Sequence, residues 1–195
     1  MTTRNADHPI DPDFLARWSP RAYSPQEVTE ADLLPLFEAA RWAPSAFNYQ
    51  PWRFAYALRG DANWDAFVGA LLPFNAGWAQ KAGALLYVLS DKQITAPGAS
   101  EATPAKWNSF DAGAAWAYLA LQGAKRGLST HAMAGFDPEA AARVTGAGER
   151  YKVEVAVAVG WRGEAGDLPE ALQAREKPSP RLTVDEIAFH GALKG

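Results

Sequence analysis

Cysteine is absent from the 195-residue sequence, and histidine is scarce. Without cysteine the chain cannot form disulfides, thiolate metal sites or a thiol nucleophile. The three histidines, His8, His131 and His190, lie far apart in the sequence. No two of them have the four-residue spacing of a helical zinc motif. Disulfide scaffolds, helical zinc hydrolases and cysteine-dependent enzymes are therefore excluded.

Long apolar runs and an excess of positive charge are also missing. The longest apolar run, residues 82–89, is too short to cross a bilayer. Residues 1–13 lack the apolar core of a signal peptide, so we expect a cytoplasmic protein. The formal net charge of −3 argues against a general surface for duplex nucleic acid. We therefore expect no membrane and no nucleic acid as partners.

The periodicity of apolar residues predicts a chain that mixes helices with a few strands. Segments 52–58, 83–90 and 151–161 have the alternation or continuous apolar character of strands. Helices are predicted over 13–18, from Thr29 to before Pro44, over 61–72, over 105–126, and from Asp137 onward. Because the elements do not repeat as βαβ units, we expect an α+β fold with helices packed on a small, mostly antiparallel sheet.

A single domain over residues 1–195 accommodates this pattern, since no linker or repeat interrupts it. Segment 91–103 is polar and rich in proline and glycine, and is expected to be a mobile loop. The C-terminal segment, about 162–195, is charged and broken by prolines. We expect this tail to be an arm that packs on another copy of the chain.

The sequence contains no complete nucleotide-binding motif and no hydrolase motif. The stretch Gly146-Ala147-Gly148 lacks the third glycine of a dinucleotide-binding loop and precedes a strand where that loop needs a helix. Neither a Walker loop nor a GxSxG elbow is present. The acidic pair Asp185-Glu186 is typical of a solvated helix start.

Three polar clusters at segment ends together suit flavin mononucleotide (FMN), although each is weak alone. In the first, Arg17, Ser19 and Arg21 can converge on a phosphate, because arginine presents a fork of donors to phosphate oxygens. The alternative is a pair of surface arginines. The third cluster, Ser179-Pro180-Arg181, adds a positive charge if the tail folds back, and is otherwise ordinary surface.

The second cluster, segment 43–52, lies between a predicted helix and a predicted strand. Two prolines stiffen it, and Ser45, Asn48 and Gln50 offer neutral donors and acceptors. The amide-like edges of a flavin ring need partners of this kind. The alternative is a polar turn without a ligand.

The sequence resembles the nitroreductase family of flavoproteins over nearly its whole length. Five blocks in the family's order carry the resemblance: 17–21, 43–52, Asn75, 135–137 and Arg181. The stretch 44–52 is the most specific of them. The order of the five blocks is more specific than any one block.

The resemblance implies an intertwined homodimer with two FMN sites at its interface. NAD(P)H would be the electron donor, and a small electron-poor molecule the acceptor. Hydride would pass through flavin N5, and the acceptor would then occupy the same pocket, which implies ping-pong kinetics. No catalytic side chain is implied. The residues implied to bind the cofactor are Arg17, Trp18, Ser19, Arg21, Pro44, Ser45, Ala46, Asn48, Gln50, Asn75, Ala134, Gly135 and Arg181.

These residues would divide the cofactor between two subunits. The arginines and Ser19 would hold the phosphate, the ribityl chain and the nearby ring edge, and Asn75 would bond the pyrimidine edge. The backbone at Ala134 and Gly135 would face N5 and O4. Residues of segment 44–50 would reach the flavin from the partner subunit.

Four positions depart from the family's pattern. Trp18 replaces a histidine or arginine, and Ser179 replaces a basic residue, which weakens the phosphate site. Trp78 falls where some members have a lysine near flavin N1 and O2, and Arg21 can substitute for it. Ala134 replaces an acidic residue, but a backbone contact survives this change.

Aromatic residues near the motifs are candidates for the substrate pocket. The chain has eight tryptophans, and core packing explains most of them. Phe47, Phe74 and Trp107 are hypothesised as pocket walls above the flavin, with a core role as the alternative. The main hypothesis is a reductase of nitroaromatics, quinones or similar acceptors. The alternatives are another branch of the family (enal or semialdehyde reduction, dehalogenation, flavin breakdown) and a flavin-binding dimer without turnover.

Overall fold

The computed structural model describes residues 4–96 and 98–193, and these contain eight α-helices and six β-strands. The strands are β1 (Trp52–Leu58), β2 (Ala84–Asp91), β3 (Gln93–Ile94), β4 (Thr103–Pro104), β5 (Leu128–Met133) and β6 (Tyr151–Trp161). The helices are α1 (Pro12–Ala16), α2 (Glu30–Arg41), α3 (Trp64–Gly69), α4 (Pro73–Ala79), α5 (Asn108–Lys125), α6 (Pro138–Thr145), α7 (Glu170–Gln173) and α8 (Val184–Ile187). Over the same residues, none of the helices has the length and apolarity needed to span a membrane.

Four strands form the central sheet in the order β1-β2-β6-β5, and every neighbouring pair is antiparallel. A register shift between Val88 and Leu89 interrupts the pairing of β2 with β6. β3 and β4 form a separate two-stranded hairpin. The expected α+β fold with a small antiparallel sheet is thereby confirmed.

Helices cover both faces of the sheet, because its inner strands are apolar on both sides. All eight residues of β2 are buried. Tyr87 packs into a core cluster shared with α3, α4 and α6, whereas its neighbour Leu86 packs into a second cluster shared with α2 and α5. Burial of successive side chains on opposite faces produces three layers, helix on sheet on helix.

Local signals in the sequence placed several elements correctly. β1 and β6 have the predicted bounds. Thr29 caps α2 through a reciprocal capping box with Asp32. Gly127 follows α5 in the left-handed conformation, with φ of 80°. Asp137 caps α6, since its carboxylate accepts the backbone N–H groups of Glu139 and Ala140 at 2.9 Å.

Other expectations were wrong. The helix predicted over 61–72 forms only over Trp64–Gly69, because Leu71 forms a strand-like bridge with Phe136 and the Leu72 N–H donates to the Gly135 carbonyl at 3.1 Å. α4, which begins at Pro73, was not predicted. α5 begins at Asn108, not at residue 105, and α1 ends at Ala16. Segment 91–103, expected to be loop, contributes β3 and the start of β4. β5 was missed entirely.

The first part of the C-terminal tail packs against its own protomer. Leu168 and Leu172 are buried in the core cluster of α3, α4 and α6. Further along, Leu182 and Ile187 are exposed. The expectation of an arm on another copy therefore concerns the part of the tail after Leu172, and stays a prediction.

The segment after α1 is tied to the end of β6 at a point of close approach. Tyr23 forms a bridge with Arg162, and the Gly163 N–H donates to the Ala22 carbonyl at 2.9 Å. A Cβ added to Gly163 would lie 2.6 Å from the carbonyl carbon of Tyr23. Only glycine allows the two backbones to meet at this distance.

We expect Gly163→Ala to lower the free energy of unfolding by about 1–3 kcal/mol, because the added methyl forces the Tyr23 backbone away from β6. Chemical denaturation followed by far-UV circular dichroism measures this. Gly166→Ala is the matched control, since a Cβ at Gly166 has no neighbour within 4 Å. Equal stability of the two variants would show that the contact at Gly163 is not constraining.

Candidate functional site

The basic segment 17–21 follows directly from the C-terminus of α1. Arg17 is partly buried, and its Nη1 donates to Ser19 Oγ at 3.2 Å. Among the described residues, no carboxylate forms an ion pair with Arg17. Burial lowers the pKa of Arg17, and the nearby charges of Arg181 and Arg4 lower it further. An anion bound here would remove an unfavourable concentration of positive charge.

The tail brings the charge of Arg181 close to that of Arg17. Its Nη1 donates to the carbonyls of Pro180 at 2.9 Å and Ser179 at 3.3 Å. Arg4, which sequence analysis did not single out, is the third guanidinium of this group. Arg17, Arg181 and Arg4 together form the arginine cluster. Trp18 lies beside it, under the guanidinium of Arg162 at 5.1 Å from ring centroid to Cζ.

Arg21 lies apart from the arginine cluster, against Trp78. Its guanidinium carbon is 5.8 Å from the centroid of the Trp78 ring. The backbone N–H groups of Arg21 and Ala22 donate to the Glu176 carboxylate at 2.9–3.0 Å. Within the described chain, Arg21 Nε and Trp78 Nε1 are buried donors without an acceptor. Buried donors normally have partners, so these two remain available to an acceptor that the chain does not itself supply.

Asn75 and Gly135 meet although sixty residues separate them. Asn75 Nδ2 donates to the Gly135 carbonyl at 3.0 Å, and the Leu72 N–H donates to the same oxygen. A Cβ at Gly135 would lie 2.5 Å from Asn75 Nδ2, so a larger residue there would displace the Asn75 side chain. This pairing joins the start of α4 to the turn between β5 and α6, with Ala134 beside it. Two of the predicted blocks therefore form one structural unit.

His131 of β5 connects segment 17–21 with α4, the helix that carries Asn75 and Trp78. Its Nδ1 lies 2.9 Å from the carbonyl of Pro20, and its ring centroid lies 4.7 Å from that of Trp78. Because a carbonyl only accepts, Nδ1 carries the proton. Burial lowers the pKa of His131, and the nearby charge of Arg21 adds to this effect against the opposing Pro20 bond. His131 is therefore the neutral imidazole that fixes segment 17–21 on the sheet edge.

Segment 44–52 has an unusual backbone. It contains a 3₁₀ turn, Ala46–Asn48, and places Phe47, Asn48 and Gln50 at φ values of 50–57°. Ser45 Oγ accepts the Gln50 N–H at 3.0 Å, and Gln50 Nε2 donates to the Asn48 carbonyl at 2.9 Å. Non-glycine residues adopt this conformation only when their surroundings enforce it. The polar side chains predicted to serve a ligand therefore also hold the loop in shape.

Asp111 completes this support from α5. The residue is only 4% exposed, and its Oδ2 accepts the Ala46 N–H at 3.1 Å. A charged acceptor makes a stronger bond to a backbone N–H than a neutral one. Asp111 lies 65 residues from Ala46 in the sequence, so no local pattern pointed to it. Its position as the single acidic residue of helix α5 was the available signal.

A cavity of about 230 Å³ opens beside segment 44–52. Its walls are mostly apolar and come from the segment itself, from the β3–β4 hairpin and from the start of α5; the apolar and aromatic ones are Phe47, Tyr49, Ile94, Pro104 and Trp107. Phe47 is 88% exposed and Trp107 62% exposed, which does not fit the alternative of a core role. Phe74 of α4 is itself exposed and does not line this cavity.

The predicted residues form two groups at opposite ends of α5. Asp111, in the first turn, contacts Ala46, whereas Lys125, in the last turn, pairs with Asp13 of α1. Fourteen residues separate these contacts, about 21 Å along the helix axis. The arginine cluster, which adjoins α1, and segment 44–50 therefore do not converge within one chain. Across the described chain there is also no group of three acids or histidines suited to a metal.

Comparison with known proteins gives the family. The sequence model of the nitroreductase family matches residues 15–83. A solved structure described as an oxidoreductase containing FMN is 39% identical, has a TM-score of 0.94, and is covered 100% in both chains. An NADH dehydrogenase of Thermus thermophilus is 30% identical over 202 residues, covering 90% of this chain and 92% of that relative. An uncharacterized 15.4 kDa protein of Mycolicibacterium smegmatis is 35% identical over 147 residues, covering 71% of this chain and 95% of that relative. The chain belongs to the nitroreductase family, and it is an oxidoreductase.

The neutral state of His131 predicts a pH dependence of stability. Its pKa in the folded chain is below the ordinary value of about 6.5, so the unfolded chain binds the proton more readily. The stability that comes from keeping His131 neutral in the folded chain is present above about pH 6.5 and is lost as the pH falls. Between about pH 7 and about pH 5, we expect a larger drop in thermal midpoint for the wild type than for His131→Gln. The exposed His190→Gln variant should behave like the wild type, and equal slopes for all three proteins would contradict the assignment.

Proposed function

We propose that the protein is a homodimeric FMN enzyme that carries electrons from NAD(P)H to a small electron-poor acceptor. The observation that carries the proposal is the arginine cluster, three guanidiniums without a paired carboxylate among the described residues, in a chain of the nitroreductase family. The related structure at 39% identity is of an oxidoreductase that contains FMN. The relative from Thermus thermophilus is an NADH dehydrogenase.

The donor set fits the phosphate of FMN. Arg17 and Arg181 project from separate segments into one region, and Ser19 Oγ is held beside Arg17. Forked guanidinium donors match phosphate oxygens, and partial burial strengthens each bond. In this proposal Arg17, Ser19 and Arg181 hold the phosphate and the start of the ribityl chain.

The second group of donors fits the ring. Arg21 Nε and Trp78 Nε1 are buried donors that lack acceptors, and a flavin has acceptor atoms along its pyrimidine edge. Arg21 supplies the positive charge for that edge, because Trp78 stands where some members of the family have lysine. Asn75 keeps its Oδ1 for a ring N–H, since its Nδ2 already donates to Gly135. The backbone of Ala134 and Gly135 forms the adjoining wall.

A homodimer would complete the site. Segment 44–50 is held at the other end of α5 from the arginine cluster, so Ser45, Asn48 and Gln50 would serve the cofactor of a partner subunit. The exposed face of α5 supports this, because no charged residue occurs between Asp111 and Lys125. Phe110 and Tyr118 are exposed on this face. A second copy is the natural cover for such an apolar surface.

In this proposal the chain's own residues bind the cofactor, orient the acceptor and exclude water. When bound, FMN would accept hydride from a nicotinamide and deliver it to the acceptor. The apolar cavity beside Phe47 and Trp107 suits a flat, electron-poor ring such as a nitroaromatic or a quinone. Aromatic walls stack on such rings and keep water from them. Among the residues that line this cavity, Tyr49 and Lys106 carry side-chain protons.

An absorption spectrum of the purified protein tests the proposal. We expect the bands of oxidised flavin, and their anaerobic bleaching by NADH or NADPH. Protein that stays colourless after incubation with FMN would overturn the proposal. Bound flavin that neither nucleotide bleaches would leave a flavin-binding dimer without turnover. The mass of the particle in solution, from light scattering, tests the dimer separately.

The acceptor cavity yields a kinetic prediction. We expect Phe47→Ala and Trp107→Ala each to raise KM for aromatic acceptors about tenfold, since each removes a stacking wall. Bleaching by NAD(P)H should change less, because it is measured without the acceptor. Trp42→Ala is the control, as this exposed tryptophan does not line the cavity. Unchanged kinetics with every acceptor would remove both residues from the pocket.

A further inference from the structure

Arg4 makes an unusual set of contacts for a residue near the start of the chain. Its Nη1 donates to the carbonyls of Leu15 at 3.0 Å and Arg17 at 2.8 Å. Its Nε donates to the carbonyl of Ser179 at 3.1 Å. One guanidinium therefore spans the C-terminal end of α1 and a tail segment 175 residues away.

These contacts act on the backbone that carries the arginine cluster. Arg17 itself provides one acceptor, and Ser179 lies two residues before Arg181. A second contact between the N-terminal segment and the tail lies close by, where the Val184 N–H donates to Asp7 Oδ2 at 3.4 Å. Arg4 thus fixes the distance between the two segments from which Arg17 and Arg181 project.

The position of Arg4 is electrostatically unfavourable without an anion. Its charge lies near those of Arg17 and Arg181, and no described carboxylate forms an ion pair with any of the three. Burial lowers the pKa of Arg4, and the charge of Arg181 lowers it further. A cavity of about 240 Å³ adjoins the cluster; Arg4, Ser179 and Arg181 line it together with one acidic residue, Asp7, whereas Arg17 does not. Like charges gathered beside a cavity are stabilised by an anion that enters it.

We propose that Arg4 is the positioning residue of the phosphate site, and that through it the protein selects FMN over riboflavin. Riboflavin has the same ring but lacks the phosphate, so only FMN benefits from the assembled arginine cluster. This inference rests on the proposed FMN function. It goes beyond that function by assigning cofactor selection to a residue outside the five family blocks.

Flavin titration of the full-length protein tests the inference, with flavin fluorescence reporting binding of FMN and of riboflavin separately. Because hydrogen bonds of charged groups contribute strongly, we expect Arg4→Ala to weaken FMN binding about tenfold or more. Riboflavin binding should stay unchanged. Arg4→Lys should weaken FMN binding almost as much as Arg4→Ala does, since one ammonium cannot bridge the carbonyls of Leu15, Arg17 and Ser179. Arg143→Ala, a substitution of an exposed arginine on α6, is the matched control and should change neither affinity.

Each other outcome is decisive. Equal weakening of FMN and riboflavin would show a structural role only, and full retention of FMN selectivity in Arg4→Lys would reduce Arg4 to a charge without a positioning role. If the wild type binds neither flavin, the proposed function fails and the inference fails with it. A second measurement does not depend on flavin: at constant ionic strength, inorganic phosphate should raise the thermal midpoint of the wild type and not that of Arg4→Ala. A rise of the same size in both proteins would overturn the inference.

Discussion

Burial of the sheet on both faces is the constraint on which the rest of the structure depends. Because every residue of β2 is buried, helices have to cover the sheet on either side. α2 and α5 do so on one face, and α3, α4 and α6 on the other. The candidate site follows from this arrangement: the turns that carry Asn75 and Gly135 belong to one helical layer, and segment 44–52 belongs to the other. The arginine cluster and segment 44–50 are separated within one chain because they adjoin opposite ends of α5.

The fold could be predicted where the sequence acts locally. β1 and β6 alternate cleanly, and the caps of α2 and α6 are formed by neighbouring residues. β5 could not be found in this way, because Ser129, Thr130 and His131 mask its apolar positions and its pairing partner β6 lies about twenty residues further on. The break between α3 and α4 was hidden for the same reason, since Leu71 pairs with Phe136 across the fold.

The site shows the same division between local and long-range information. Motif residues such as Arg17, Ser45 and Asn75 could be named from the sequence because they stand in short, ordered blocks. The residues that hold these motif residues in position could not be named from the sequence. Asp111 bonds Ala46 from 65 residues away, and Arg4 bonds Ser179 from 175 residues away. Supporting residues of this kind need only a correctly placed acceptor or donor, so they leave no spacing pattern that a single sequence can reveal.

The strained backbone at Phe47, Asn48 and Gln50 has a consequence for how the cavity can change. A loop that is kept in a rare conformation by Asp111 and Ser45 has little freedom to adjust, because relaxing it would cost those bonds. The facing wall is different, since β3 and β4 are two-residue strands whose side chains are mostly exposed. The cavity therefore has one fixed wall and one replaceable wall. Adaptation to an acceptor of another shape would meet the least resistance in this hairpin, because it is separate from the central sheet.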